Sequence, residues 1–116
     1  MKAIKAFVHS HRIADVIAEL QEFGQCDLSA TSGCRNLTVF ALTGILKADN
    51  VKERRYSVEL AQEVTQELKL ELLCEDEQVD QLIEIIQRSA RSAHGYGGWI
   101  YVTDIYRAVQ IAADGN

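Results

Sequence analysis

Residues 92–102, S-A-H-G-Y-G-G-W-I-Y-V, set three glycines within four positions directly ahead of a dense run of β-formers. Helically spaced apolar residues precede them, so the backbone must leave a helix, turn sharply and enter a sheet. Gly95, Gly97 and Gly98 permit positive φ and let peptide N–H groups approach a ligand closely. Successive exposed amides in such a turn can form an anion-binding nest. A plain flexible connection between helix and strand would use the same residues. The rest of the chain must separate these readings.

With 116 residues and 47% hydrophobic content, the chain fits a single domain, 1–116, with one core that needs neither metal nor disulfide support. A net charge of −5 argues against the broad basic face of a nucleic-acid binder, so no nucleic-acid partner is expected. Cys26, Cys34 and Cys74 are odd in number and lack C-x-x-C spacing. That argues against a disulfide framework and a four-thiolate zinc site, and a reducing compartment is the simpler setting. No apolar run reaches signal-peptide or membrane-spanning length, so the expected location is cytoplasmic.

Along the chain, residues 2–9 alternate as a strand, with Ile4, Ala6 and Val8 on one face. Ser10 is placed as an N-cap, and Ile13, Val16, Ile17, Leu20 and Phe23 then recur at helical spacing until Gly24 stops the helix. Residues 28–33 continue in strand period, and 37–42 are rich in β-formers. Residues 47–55, K-A-D-N-V-K-E-R-R, carry neither period and read as a long exposed loop. From Tyr56 alternation resumes and strengthens through Leu68, Leu70, Leu72 and Cys74. Asp76 is expected to cap a second helix bearing Val79, Leu82, Ile83, Ile86 and Ala90 on one face. The glycine turn follows, then a strand at 99–103 and a short edge strand at 106–111.

This order is β-α-β-β-α-β, an α+β, ferredoxin-like sandwich of one antiparallel sheet and two helices, with a short extra C-terminal strand. The helices cover one face. Phe7, Val39 or Phe40, and Trp99 or Tyr101 add apolar area to the other, which predicts oligomerisation through the sheet.

The element order, the run K-L-E-L-L-C-E-D-E-Q-V-D-Q-L-I-E-I-I, the glycine turn and W-I-Y-V-T-D-I-Y-R-A-V-Q-I resemble the PII signalling family. The resemblance implies a cytoplasmic, non-enzymatic homotrimer with an adenine nucleotide in each cleft between subunits. It also implies a T-loop, here about 34–55, that re-orders on effector binding and meets a protein target. The B-loop, about 92–98, falls on the glycine turn, so Ser92, His94, Gly95, Gly97 and Gly98 are the implied phosphate-binding positions. Ser29 stands where the family usually has an adenine-contacting threonine, and Leu73 where it has an apolar residue beside the base.

Departures refine this expectation. Trp99, Gln110 and Ala112 stand where nitrogen-sensing members carry phosphate-binding cations. Each charge-assisted contact is worth roughly 1.5–3 kcal/mol, so ADP or AMP should be favoured over ATP. Glu67 occupies the position of a lysine that helps hold 2-oxoglutarate, which argues against nitrogen sensing. Arg35, Lys47, Lys52, Arg54 and Arg55 flank or occupy the T-loop region, and their charges could replace the missing cations, Arg35, Arg54 and Arg55 being the candidate ligands. A solvated charged loop explains them equally. R-R-Y-S-V-E-L and G-W-I-Y-V are similar to a carboxysome-associated PII-like branch. That likeness implies bicarbonate as a second effector, regulation of inorganic-carbon metabolism, and a membrane transporter as one kind of target.

His9 and His11 form an H-x-H that, with Cys34, motivates an alternative: a trimeric metal-handling protein like the CutA family, which shares the architecture. Two histidines alone are not a site, and no metal ligand set is assigned. Cys34 is the one cysteine beside the T-loop region, while Cys26 and Cys74 read as small core residues. No nucleophile and base pair points to catalysis.

Overall fold

The computed structural model describes residues 1–24, 26, 28, 33–44, 54–57, 62–91 and 98–111, with backbone only at 43–44, 54–57 and 62–66. Its elements are β1 (Lys2–His9), α1 (Ile13–Gly24), β2 (Arg35–Gly44), β3 (Arg54–Ser57), β4 (Gln62–Cys74), α2 (Val79–Ala90) and β5 (Trp99–Asp104). They form an antiparallel sheet in the order β2-β4-β1-β5, with β3 paired to β4 off this path. This is the ferredoxin-like α+β plan expected from the alternation.

Registration decides which residues reach the core. Ile4, Ala6 and Val8 of β1 stand opposite Leu72, Leu70 and Leu68 of β4. Ile100 of β5 stands opposite Ala6. These positions share one face, and Ile4, Ala6, Val8, Leu70 and Leu72 are fully buried there. The helices supply the other half: Val16 and Leu20 from α1, and Leu82, Ile85 and Ile86 from α2. A one-residue slip would expose the whole set, so the period-2 pattern pins the register.

The helix ends differ from the expected ones. Ser10 does not cap α1; Arg12 N–H donates to His9 O at 3.0 Å in an intervening turn, and the helix starts at Ile13. Asp76 does not cap α2. Residues Asp76–Gln78 form a 3₁₀ turn ahead of it, and Glu75 N–H donates to Gln78 Oε1 at 3.1 Å. At the far end of α2, Arg12 Nη2 donates to Ser89 O at 2.9 Å, pairing one of the helix's terminal carbonyls across 77 residues of sequence.

Three further expectations are corrected. The extra strand at 106–111 does not form: Ile105 to Ile111 lie outside every strand, and the fifth strand is β3. The loop expected at 47–55 ends earlier, because Arg54 and Arg55 already pair with Thr65 and Val64. Cys26 and Cys34 form a disulfide, with Cα atoms 4.9 Å apart, while Cys74 is free and buried. The odd count concealed a bridge because the pairing depends on the distance between the two Cα atoms in the fold and not on the count or spacing of cysteines, which stand eight residues apart. No described helix is long and apolar enough to cross a membrane.

Candidate functional site

Arg35 opens β2 directly opposite Leu73 of β4. Between Arg35 and Thr38 the register slips by one residue, and Asn36 takes a left-handed φ of 58°. A bulge of this kind re-aims side chains at a sheet rim. Here Arg35, Asn36 and Leu73, together with Met1, Leu28 and the C-terminal segment Ala108 to Ile111, line a cleft of about 470 Å³.

Its walls are polar and apolar in similar measure. The Arg35 guanidinium is three-way braced: Nη1 donates to Glu75 Oε1 at 3.2 Å and to Gly33 O at 3.3 Å, and Nη2 lies 3.6 Å from Met1 Sδ. Gly33 has φ +66°, a left-handed turn immediately before Cys34. A braced guanidinium in a cleft of mixed polar and apolar lining is suited to an anion attached to a flat apolar group.

Charged groups tie the adjoining end of the sheet together. The Met1 ammonium donates to Asp76 Oδ1 at 2.7 Å, and Lys2 Nζ donates to Asp104. The ammonium's hydrogen bond holds the Asp76 carboxyl below its ordinary value, and the same bond raises the ammonium. Lys2 is raised by its bond to Asp104. Burial pushes the Cys74 thiol up, reinforced by Asp76 and Glu75.

The predicted residues divide into four groups. Arg35 and Leu73 meet in the cleft, and Gln110 joins them. Gly98 does not: it lines a separate opening of about 540 Å³ between β1, β5 and the end of α2, with Arg91 and Trp99. Arg54 and Arg55 are in β3, described by backbone only. Ser29, Ser92, His94, Gly95 and Gly97 lie outside the described residues, as do Lys47, Lys52 and Ala112. Sequence reasoning missed Met1, Asn36 and Val109, and only the apolar character of 109 and 111 carried any signal.

His9 and His11 stack at 5.7 Å between ring centroids, with His9 closing β1 opposite Glu67. Cys34, the third residue of the metal-handling alternative, is committed to the disulfide. Among the described residues no group of three His, Cys, Asp or Glu side chains could hold a metal.

The helix-free sheet face carries aromatic groups in rows set by the registers. Phe40 faces Lys69, Lys69 faces Phe7, and Phe7 faces Trp99. Lys69 Nζ lies 4.7 Å over the Phe40 ring, Phe7 meets Tyr101 edge-on at 5.6 Å, and Trp99 stacks on Tyr101 at 6.4 Å. Trp99 is nonetheless 61% exposed and Phe40 45%.

Residues 1–114 match the family model described as Nitrogen regulatory protein P-II. The chain belongs to the P-II family. Proteins named Nitrogen regulatory protein P-II from Pasteurella multocida and Microchaete diplosiphon are 28% and 26% identical to it over 111 residues, covering 96% of this chain and 91% of each relative. One from Porphyra purpurea is 22% identical over the same coverage. P-II proteins are regulatory signalling proteins, generally homotrimeric, that respond to adenine-nucleotide effectors and act on protein targets. The family carries the ferredoxin-like plan that this chain displays.

Proposed function

We propose that this chain is a non-enzymatic, cytoplasmic P-II sensor that binds ADP or AMP in preference to ATP at the clefts of a homotrimer. The observation that carries the reading is the meeting of Arg35 and Leu73 in one 470 Å³ cleft that also takes in the C-terminal segment. Leu73 offers an apolar wall for the base, and Arg35 offers a fork for phosphate. Ser29 and the turn residues Ser92, His94, Gly95, Gly97 and Gly98 complete the site in this reading, Gly98, which lines a separate opening within one chain, doing so across the boundary between subunits, and Arg54 and Arg55 reach the phosphates from the T-loop region. The phosphate-binding cations of nitrogen-sensing members are replaced by Trp99, Gln110 and Ala112, which disfavours the third phosphate.

Bicarbonate is the second effector in this reading, and the output is regulation of inorganic-carbon metabolism. Nucleotide binding biases the T-loop region, about 34–55, between arrangements that expose or hide a surface for a protein target, a membrane transporter among the candidates. β2 ends at Gly44 and β3 begins at Arg54, and in this reading the effector-responsive part of the T-loop region is the sequence between them. The aromatic rows on the helix-free face support the trimer.

The test is calorimetry of the purified protein with AMP, ADP and ATP at fixed magnesium, with and without bicarbonate. Tighter binding of AMP or ADP, shifted by bicarbonate, is the expected result. Saturable binding of ATP alone would overturn the preference, and no binding of any nucleotide would overturn the site.

A further inference from the structure

Two of the cleft-lining residues, one in the connection between α1 and β2 and one at the start of β2, each stand within two positions of a bridged cysteine. Leu28 follows Cys26 by two residues, and Arg35 follows Cys34 directly. Both cysteines are fully buried. The bridge therefore ties together two points of the backbone that each lie beside a cleft-lining residue. The guanidinium brace adds to this, since Arg35 also grips Gly33 O and Glu75 on the adjoining segment.

We propose that Cys26 and Cys34 form a reversible dithiol–disulfide couple that sets the affinity of the cleft for nucleotide; this rests on the nucleotide reading above. In the cytoplasm, where the proposed function places the chain, a disulfide is usually transient and redox-sensing rather than a fixed staple. In the reductive direction a small dithiol supplies the electrons. Its thiolate attacks the Cys34 sulfur, an intermolecular S–S bond forms, the Cys26–Cys34 bond breaks, and Cys26 leaves as a thiolate that takes up a proton. The second thiolate of the dithiol then displaces Cys34, which is also protonated. The protein gains two electrons and two protons, and the dithiol becomes a disulfide. Oxidation by a small disulfide reverses each exchange.

Cys74 takes no part. It is bonded to neither of the other cysteines, and its thiol is pushed up by desolvation and by the neighbouring Asp76 and Glu75 carboxylates, away from the reactive thiolate.

The oxidised chain holds the Leu28 and Arg35 segments in one arrangement, whereas the reduced chain samples others. If the competent arrangement falls to about a tenth of the population, apparent affinity falls about tenfold. Linkage then requires the reciprocal effect: saturating nucleotide shifts the dithiol–disulfide equilibrium towards the disulfide by the same factor.

The experiment equilibrates the full chain in mixtures of reduced and oxidised dithiothreitol, with and without ADP. The redox state is read by alkylation and mass spectrometry, and ADP affinity of each form by calorimetry. The expected result is about tenfold weaker ADP binding by the reduced form, a matching shift of the redox midpoint by ADP, and loss of redox dependence in the double variant Cys26→Ser, Cys34→Ser. The reduced wild-type chain reports on the same question should that variant not fold. Equal ADP affinity in both forms overturns the coupling and leaves the nucleotide reading standing. Failure of the bridge to form in any mixture overturns the couple itself. Absence of ADP binding in both forms overturns the nucleotide reading and the coupling together.

Discussion

Gly98 lies so close to Phe7 that a Cβ built on it would stand 1.8 Å from the Phe7 carbonyl oxygen. The two residues meet where β5 begins beside β1, one position ahead of the Trp99–Phe7 pair. Gly98 also has φ +112°, a region that side chains disfavour. Its absent side chain is thus a condition for β5 to enter the sheet, whatever the turn before it binds.

Gly98→Ala should therefore destabilise the fold by roughly 2–4 kcal/mol, since backbone strain and a backbone clash add. Chemical denaturation checks this. A midpoint within error of the wild type would show that the β1–β5 junction relaxes at no cost. Loss of nucleotide binding in this variant must be read against its stability before it is assigned to phosphate contact.

Arg35→Ala removes the ion pair to Glu75 and the bond to Gly33 O. The Arg35 side chain is mostly buried while Glu75 is half exposed, so the expected loss of stability is modest, about 1 kcal/mol. If Arg35 meets phosphate, the affinity for ADP should fall at least tenfold, the size of one charge-assisted hydrogen bond. Arg35→Lys should recover the charge but not the fork. Calorimetry with ADP separates the outcomes; unchanged affinity in Arg35→Ala would limit Arg35 to a bracing role.

Much of this architecture is legible in the sequence, and the exceptions have a common physical cause. Alternation at Leu68, Leu70, Leu72 and Cys74 marks β4 because one face of the strand is buried and the other is not. The 3.6 period of Leu82 and Ile86 marks α2 for the same reason. Features decided by distant partners leave no such trace. Arg12 of the turn before α1 reaches Ser89 of α2, Gly98 is constrained by the backbone of Phe7, and the Cys26–Cys34 bridge depends on the 4.9 Å between two Cα atoms eight residues apart. Residues 106–111 carry β-formers but find no strand partner among the described residues. The cleft was legible only in part: resemblance pointed to Arg35 and Leu73, while the contributions of Met1 and Asn36 follow from the bulge and from the packing of the chain ends.

Trp99→Lys tests the helix-free face. Trp99 stacks on Tyr101 yet stays largely exposed in the single chain, so a large apolar area awaits cover. A charge at the centre of a desolvated interface costs roughly 2 kcal/mol or more, whereas on a solvated face it costs little. Sedimentation at micromolar concentration should show trimers for the wild type and smaller species for the variant. An unchanged trimer would move the interface away from Trp99.

The bond between the Met1 ammonium and Asp76 should leave a flat-topped pH dependence on stability. Asp76 has its carboxyl lowered from 3.8 by that hydrogen bond, so its contribution is present above about pH 4 and is lost as pH falls through the depressed value. The ammonium is raised from 8.0 by the same bond, so its contribution is present below pH 8 and is lost as pH rises through the elevated value. The two limits bracket a plateau between roughly pH 4 and pH 8. Both groups are in contact with solvent, so the effect is small and shrinks as salt screens it. Thermal melts of the wild type and Asp76→Asn at low ionic strength should differ most on the plateau and converge on either side. Acetylating the Met1 amine should flatten the alkaline limb and also shrink the acid limb, which then keeps only the share that comes from Lys2 Nζ, 4.0 Å from Asp76. A difference between wild type and Asp76→Asn that stayed constant from pH 3 to pH 10 would show that the side chain acts through packing rather than charge.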